Sequence, residues 1–266
     1  MSELPPAFFL PEGTGFRATA ATRGPWSPDH QHGGPPSALL ARALERFMTS
    51  GPAASSTPLR AARMTVAFHR PIAIDRFEVT VEPVREGKKV RIARATLADS
   101  SGRAVATAEA LFVRRADVGV AASLDVAPLS PDVCEPHVFS FFAADVGYHT
   151  AMEGRLISGT FGSGKMAIWL RMRLAVVPGE TPSPLQRVVA AADSGNGVSV
   201  GLDLALYTFV NPDLTVYLAR ELAGEWVGLD AETRFGPDGI GLATTTLLDT
   251  SGAVGRGLQS LIIEAR

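Results

Sequence analysis

Between residues 37 and 47 apolar side chains fall on nearly every face, Ala38, Leu39, Ala41 and Leu44 among them, and this predicts a buried helix with Pro35 and Pro36 in its first turn. Beyond it the period shortens from helical to two. Residues 62–68, 77–84, 89–98 and 104–114 are β-branched and partly alternating, with turn signals such as Glu86-Gly87 and Ser101-Gly102 between them, which predicts a run of antiparallel strands. The same order then returns. A helix is expected from Pro184 to about Asp193, followed by strands over 198–209, 214–218, 226–233, 241–248 and 254–263. Strand candidates also precede each helix, over 15–21 in the first half and over 155–159 with 167–173 in the second.

The recurrence is a duplication. At an offset of 150 residues Met64-Thr65-Val66 lies over Leu214-Thr215-Val216, Arg70 over Arg220, and the segment from Ala95 to Gly102 over that from Thr245 to Gly252 without a gap. One repeat of this length predicts two like modules rather than a solenoid. We place them at 1–115 and 138–266, joined by a linker over 116–137 that is rich in Pro, Asp, Ser and Ala.

Composition narrows the function classes. With 46% hydrophobic and 20% charged residues the 266-residue chain reads as globular, and a formal net charge of −2 without a Lys/Arg cluster offers no footprint for nucleic acid or an anionic membrane. Cys134 is the single cysteine, so an internal disulfide is excluded. No basic, apolar leader opens the sequence and no stretch has the length of a membrane span, so the expectation is a cytoplasmic protein. The histidines His30, His69, His137 and His149 lack metal-ligand spacing, and no metal or other cofactor is expected.

The segments that carry chemistry are His32-Gly33-Gly34 at the head of the first helix, Phe68-His69-Arg70-Pro71 on the next strand, Ala192-Asp193-Ser194-Gly195 in the second copy, Asn211-Pro212-Asp213-Leu214-Thr215, Glu225-Trp226 and Gln259. In order and spacing, over nearly the whole chain outside the linker, these resemble the double hotdog acyl-CoA thioesterases of the TesB-like, thioesterase II type. The resemblance implies an α+β double hotdog, each module a long helix wrapped by a curved antiparallel sheet. It implies hydrolysis of a fatty acyl-CoA to free acid and CoA, with acyl-CoA as partner and a homo-oligomer as the assembly. It further implies a water-activating trio in the second copy, with Asp193 at the Asp position and Gln259 at the Gln position. The third position falls on Asn211, where the family usually shows a hydroxyl; Ser194, Asn196 and Thr208 are the other candidates. His32, Gly33 and Gly34 would shape the substrate entrance.

Elementary chemistry asks for the same set: a base within reach of a water, a group that fixes the water, and donors where charge develops on the carbonyl oxygen. At the 150-residue offset Gln259 lies over Glu109, and Asp193 over Glu45 after a small shift in the helix. Two carboxylates repel where an Asp and an amide cooperate, so the first copy is expected to carry a disabled site. Plainer readings stand beside these. Asp193-Ser-Gly-Asn-Gly also fits a helix C-terminal turn with Gly195 or Gly197 as the left-handed residue, and Asn211-Pro212-Asp213 also fits a turn. His32-Gly33-Gly34 also fits a simple loop into a helix.

Other chemistries are set aside. The segment from Gly159 to Met166 nearly spells a phosphate-binding loop, but Met166 replaces the magnesium-holding hydroxyl and the chain continues as a strand. No Gly-x-Ser-x-Gly elbow accompanies a plausible triad. A hotdog hydratase wants a His about five residues after its Asp, and Val198 stands there. The remaining rival is a hotdog that binds acyl-CoA or an acyl carrier without turnover.

Overall fold

The computed structural model describes residues 3–50, 58–120 and 127–266. Positions 121–126 of the expected linker lie outside the described residues. In the first half come β1 (Phe9–Glu12), β2 (Gly15–Ala18), α1 (Gly34–Ser50), β3 (Leu59–Phe68), β4 (Arg76–Arg85), β5 (Val90–Asp99) and β6 (Ala104–Arg114). The second half holds β7 (Glu135–His137), α2 (Tyr148–Ala151), β8 (Met152–Gly159), β9 (Lys165–Met172), α3 (Pro184–Ala192) and α4 (Gly195–Val198). It ends with β10 (Tyr207–Val210), β11 (Asp213–Leu218), β12 (Trp226–Phe235), β13 (Ile240–Asp249) and β14 (Gly252–Ala265).

All named strands pair antiparallel in one sheet of order β1-β2-β4-β5-β6-β3-β11-β14-β13-β12-β9-β8-β7, with β10 added against β14. The order reads as the same series outward from its centre, β3-β6-β5-β4 on one side and β11-β14-β13-β12 on the other. At the junction β3 and β11 pair so that Thr65 faces Thr215, its own repeat counterpart, with their hydroxyls 3.1 Å apart. The duplication therefore folds about a local two-fold axis through this pair.

The core lies between sheet and helices. Ala93, Ala95, Ala106, Ala108 and Ala110 point inward from β5 and β6, and these small side chains let α1 bring Leu39, Leu40 and Leu44 close to the sheet. In α3 the run from Val188 to Ala192 is buried, which explains its nearly continuous apolar sequence. Helix α1 begins three residues before the expected 37, because the two prolines fit its first turn.

Two expectations are corrected. The segment 198–209 is not one strand: α4 ends at Val198, and only Tyr207–Val210 joins the sheet. The repeat also loses one residue in its last hairpin. Leu97 pairs with Ala106, whereas its counterpart Leu247 pairs with Gly255, so beyond this turn the offset falls to 149 and Arg103 has no counterpart. A one-residue slip turns a strand over. Gln259 thus corresponds to inward-facing Ala110, while Glu109 faces outward between Arg63 and Arg94, at 3.0 and 3.2 Å. The pair of apposed carboxylates expected in the first copy does not form. Instead Glu45 takes hydrogen bonds from Ser183 Oγ and Gln186 Nε2, and the latter is 2.9 Å away.

Candidate active site

The C-terminal end of α3 meets the N-terminal end of α1 across the two halves. Asp193 caps α3 and its carboxylate is only 3% exposed. Asn211, just before β11, donates through Nδ2 to Asp193 Oδ1 at 2.9 Å and to the Asp213 carbonyl at 3.1 Å. From β14, Gln259 donates through Nε2 to the Asp193 carbonyl at 3.1 Å and reaches Oδ1 at 3.5 Å, while its Oε1 accepts the Asn196 amide at 3.0 Å. The three residues singled out in the sequence are therefore in mutual contact through one carboxylate oxygen. Among the alternatives for the third position, Asn196 adjoins this network, with Nδ2 3.5 Å from Asn211 Oδ1, and Ser194 lies beside it. Thr208 does not: its hydroxyl turns to the Glu264 carbonyl.

The other carboxylate oxygen faces the first half. His32 Nδ1 is 3.1 Å from Asp193 Oδ2 and 3.0 Å from the Gly34 amide, which donates to it. A ring nitrogen carries one hydrogen or one lone pair, so Nδ1 donates to Asp193 or accepts from Gly34, but not both. Burial lowers the His32 pKa below the ordinary histidine value, against the opposing pull of Asp193, and this favours the neutral ring. His32 also stacks on Tyr148, with parallel rings 3.8 Å apart, and the Tyr148 hydroxyl donates to the Ala190 carbonyl at 2.8 Å beside Ser194 Oγ at 2.9 Å. Sequence reasoning set His32 at an entrance and passed over Tyr148; no spacing signal links residues so far apart along the chain.

The glycines are explained by proximity. A Cβ on Gly33 would sit 2.8 Å from Asp193 Oδ2, one on Gly34 2.4 Å from the Ala190 carbonyl oxygen, and one on Gly195 2.5 Å from Thr245 Oγ1 and 2.9 Å from Gln259 Oε1. Neither Gly195 nor Gly197 has positive φ, so the left-handed helix-end reading of this segment is corrected: the chain runs straight on into α4. At the start of α1, Pro35 and Pro36 have no N–H, which leaves the amides of Gly33 and Gly34 as the donors at that positive helix end.

These groups open onto a cavity of about 360 Å³. Its wall includes eight aromatic side chains other than histidine, such as the stacked Phe141 and Phe161, 5.6 Å apart, and the edge-to-face Trp26 and Phe209, 5.3 Å apart. A buried carboxylate with fixed amides at the edge of an apolar pocket suits attack by a water on an acyl group. The segment that resembled a phosphate loop is the hairpin turn between β8 and β9. Among the described residues no cluster of His, Cys, Asp or Glu is arranged to hold a metal ion.

The profile of the acyl-CoA thioesterase N-terminal domain matches residues 22–130, and that of the acyl-CoA thioesterase C-terminal domain matches residues 127–263. The chain belongs to the acyl-CoA thioesterase family. Solved structures similar to this family member include a hot dog fold protein of unknown function from Alicyclobacillus acidocaldarius, with 17% identity, TM-score 0.72, and coverage of 97% of this chain and 96% of that one. Others are a tesB protein from Mycobacterium avium subsp. paratuberculosis (17%, 0.66, 94% and 93%) and the acyl-CoA thioesterase II TesB2 from Mycobacterium marinum (15%, 0.64, 96% and 93%). At these identities they show the fold of this thioesterase-family chain, a double hotdog. No curated protein matches it. No helix among its described residues is long and apolar enough to cross a membrane.

Proposed function

We propose that this protein hydrolyses a fatty acyl-CoA to free acid and CoA, in the cytoplasm, with Asp193 as general base. One observation carries the reading: Asp193, 3% exposed, pinned through Oδ1 by Asn211 and Gln259 and 3.1 Å from His32 through Oδ2, lines an apolar cavity beside the start of a helix. A water donating to Oδ2 attacks the thioester carbon as its proton passes to Asp193. The carbonyl oxygen becomes an oxyanion, stabilised by the Gly33 and Gly34 amides at the positive end of α1. When the C–S bond breaks, the leaving thiolate takes the proton from Asp193 and the base is restored. While Asp193 is protonated, its Oδ2–H competes with the Gly34 amide for the His32 Nδ1 lone pair, which frees that amide for the oxyanion.

In this reading residues 1–115 contribute His32, Gly33 and Gly34, residues 138–266 contribute the base, and 116–137 connect them. The test is thiol release from acyl-CoAs of increasing chain length by the wild type, Asp193→Ala and Gln259→Ala. A fall of about a hundredfold or more in both variants supports it.

A second reading rests on the donors of Asn211 and Gln259 being committed to Asp193 and nearby carbonyls. It is an acyl-CoA or acyl-carrier binder, which would be stabilised by ligand and release no thiol.

A further inference from the structure

The duplication supplies an internal control for each side chain, and one pair of counterparts has parted in role. In the second copy Arg220 holds the fully buried Asp249 through both terminal guanidinium nitrogens, one contact at 2.6 Å, and also donates to the carbonyls of Gly252 at 2.9 Å and, through Nε, Ala253 at 3.1 Å. The repeat sets Arg70 over Arg220 and Asp99 over Asp249. Strict symmetry would lock Arg70 onto Asp99. It does not, because Asp99 is satisfied locally by the Ser101 amide at 2.9 Å, the Ser101 hydroxyl at 2.6 Å, the Arg103 amide at 3.1 Å and the Arg103 guanidinium at 3.2 Å.

Arg103 is the residue that the second copy lacks, so the longer hairpin of the first copy takes over the bond that Arg220 makes in the second. Arg70 is thereby released. It is exposed, has no hydrogen-bond or ion-pair acceptor among the described residues, and lines the same cavity as Asp193. Among the described residues the other charged or titratable side chains on that wall are His30, His32, Tyr148 and Asp193, which makes Arg70 the one permanent cation there.

We propose that Arg70 anchors the phosphate that ends the pantetheine arm of the thioester. This deepens the acyl-CoA reading and rests on it. With the acyl group in the cavity and its carbonyl at Asp193, the arm leaving the site carries neutral amides until it reaches that phosphate. A net charge of −2 gives no general attraction for such an anion, so recognition falls to a single fork-shaped guanidinium, which suits two phosphate oxygens better than a point charge does. The phosphate is common to CoA and to a phosphopantetheinylated carrier protein.

The experiment compares wild type, Arg70→Ala and Arg70→Lys. Binding of CoA, 4′-phosphopantetheine and pantetheine is followed by calorimetry, and KM is measured for matched acyl-CoA, acyl-carrier-protein and acyl-pantetheine thioesters. Arg70→Ala is expected to weaken CoA and phosphopantetheine about 10- to 100-fold, the loss of a charge-assisted hydrogen bond. KM for acyl-CoA should rise in step, and pantetheine and its thioester should move less than about twofold, because they lack the phosphate. Arg70→Lys recovers part of the loss. A loss on acyl-CoA alone names CoA as the source of the phosphate, and an equal loss on the carrier-protein thioester names the shared group. CoA binding unchanged by Arg70→Ala, or an equal loss with pantetheine, overturns the proposal. A wild type that turns over no thioester overturns the proposed hydrolysis instead, and CoA calorimetry still decides the role of Arg70.

Discussion

Replacing Asp193 with Asn removes the base and almost nothing else. The side-chain oxygen of the new amide would still accept from Asn211 Nδ2 and Gln259 Nε2 at the position of Oδ1, now 2.9 and 3.5 Å from them. Its NH2 would stand where Oδ2 is, 3.1 Å from His32 Nδ1, and can donate to that lone pair. The bonds from Asn211 and Gln259 keep their acceptor, the new NH2 shares the His32 Nδ1 lone pair with the Gly34 amide, and a buried carboxylate becomes neutral, so unfolding free energy should change by no more than about 1 kcal/mol. An amide cannot take the proton of the attacking water, however, and loss of a general base costs about 10²- to 10⁴-fold in kcat, or about 2.7–5.4 kcal/mol of barrier. The assay pairs thiol release at saturating acyl-CoA with thermal unfolding of the same preparation. Asp193→Ala is the contrast: it removes the carboxylate acceptor, leaving Asn211 Nδ2 only the Asp213 carbonyl and Gln259 Nε2 only the backbone carbonyl of residue 193, and should lose about 1–3 kcal/mol of stability as well. Turnover by a folded Asp193→Asn protein within about tenfold of wild type would refute the assignment of Asp193 as base.

Other outcomes follow from the same geometry. Gly195→Ala pushes a methyl group to 2.5 Å from Thr245 Oγ1 and 2.9 Å from Gln259 Oε1; it should cost about 1–3 kcal/mol in a denaturant titration and lower kcat by displacing Gln259. Arg220→Ala leaves the buried Asp249 carboxylate without its main partner and should cost about 3–5 kcal/mol, whereas Arg70→Ala should leave the melting temperature nearly unchanged. Burial raises the Glu45 pKa against the opposing hydrogen bonds of Gln186 and Ser183. A raised folded-state value stabilises fully below the unfolded carboxyl value and is lost as pH rises through the folded one. Glu45→Gln should therefore gain stability relative to wild type from weakly acidic to neutral pH, and a flat difference across that range would contradict the buried carboxylate.

Much of this protein was legible in its residues. Alternating strands and two helices, the first apolar on nearly every face, come from local periodicity, which depends on neighbours a few positions apart and survives in any context. The duplication then dictated that the two halves share a topology, and the resemblance points to Asp193, Asn211 and Gln259, whose side chains the fold brings into contact. What the linear pattern missed was set by register and by distance. The loss of Arg103 from one hairpin changes no hydropathy period, yet it turns the final strand over, so that Gln259 faces Asp193 while Glu109 faces solvent and two arginines. Gly195 looked like a turn glycine because glycine serves tight turns and close approaches alike, and only the packed neighbours distinguish them. His32 meets Asp193 because two helix ends converge across a local two-fold axis. The sequence by itself determined the elements, their order and the doubling; the tertiary structure decided which faces turn inward and which distant side chains share a carboxylate, because those depend on hairpin length and on contacts that have no local signature.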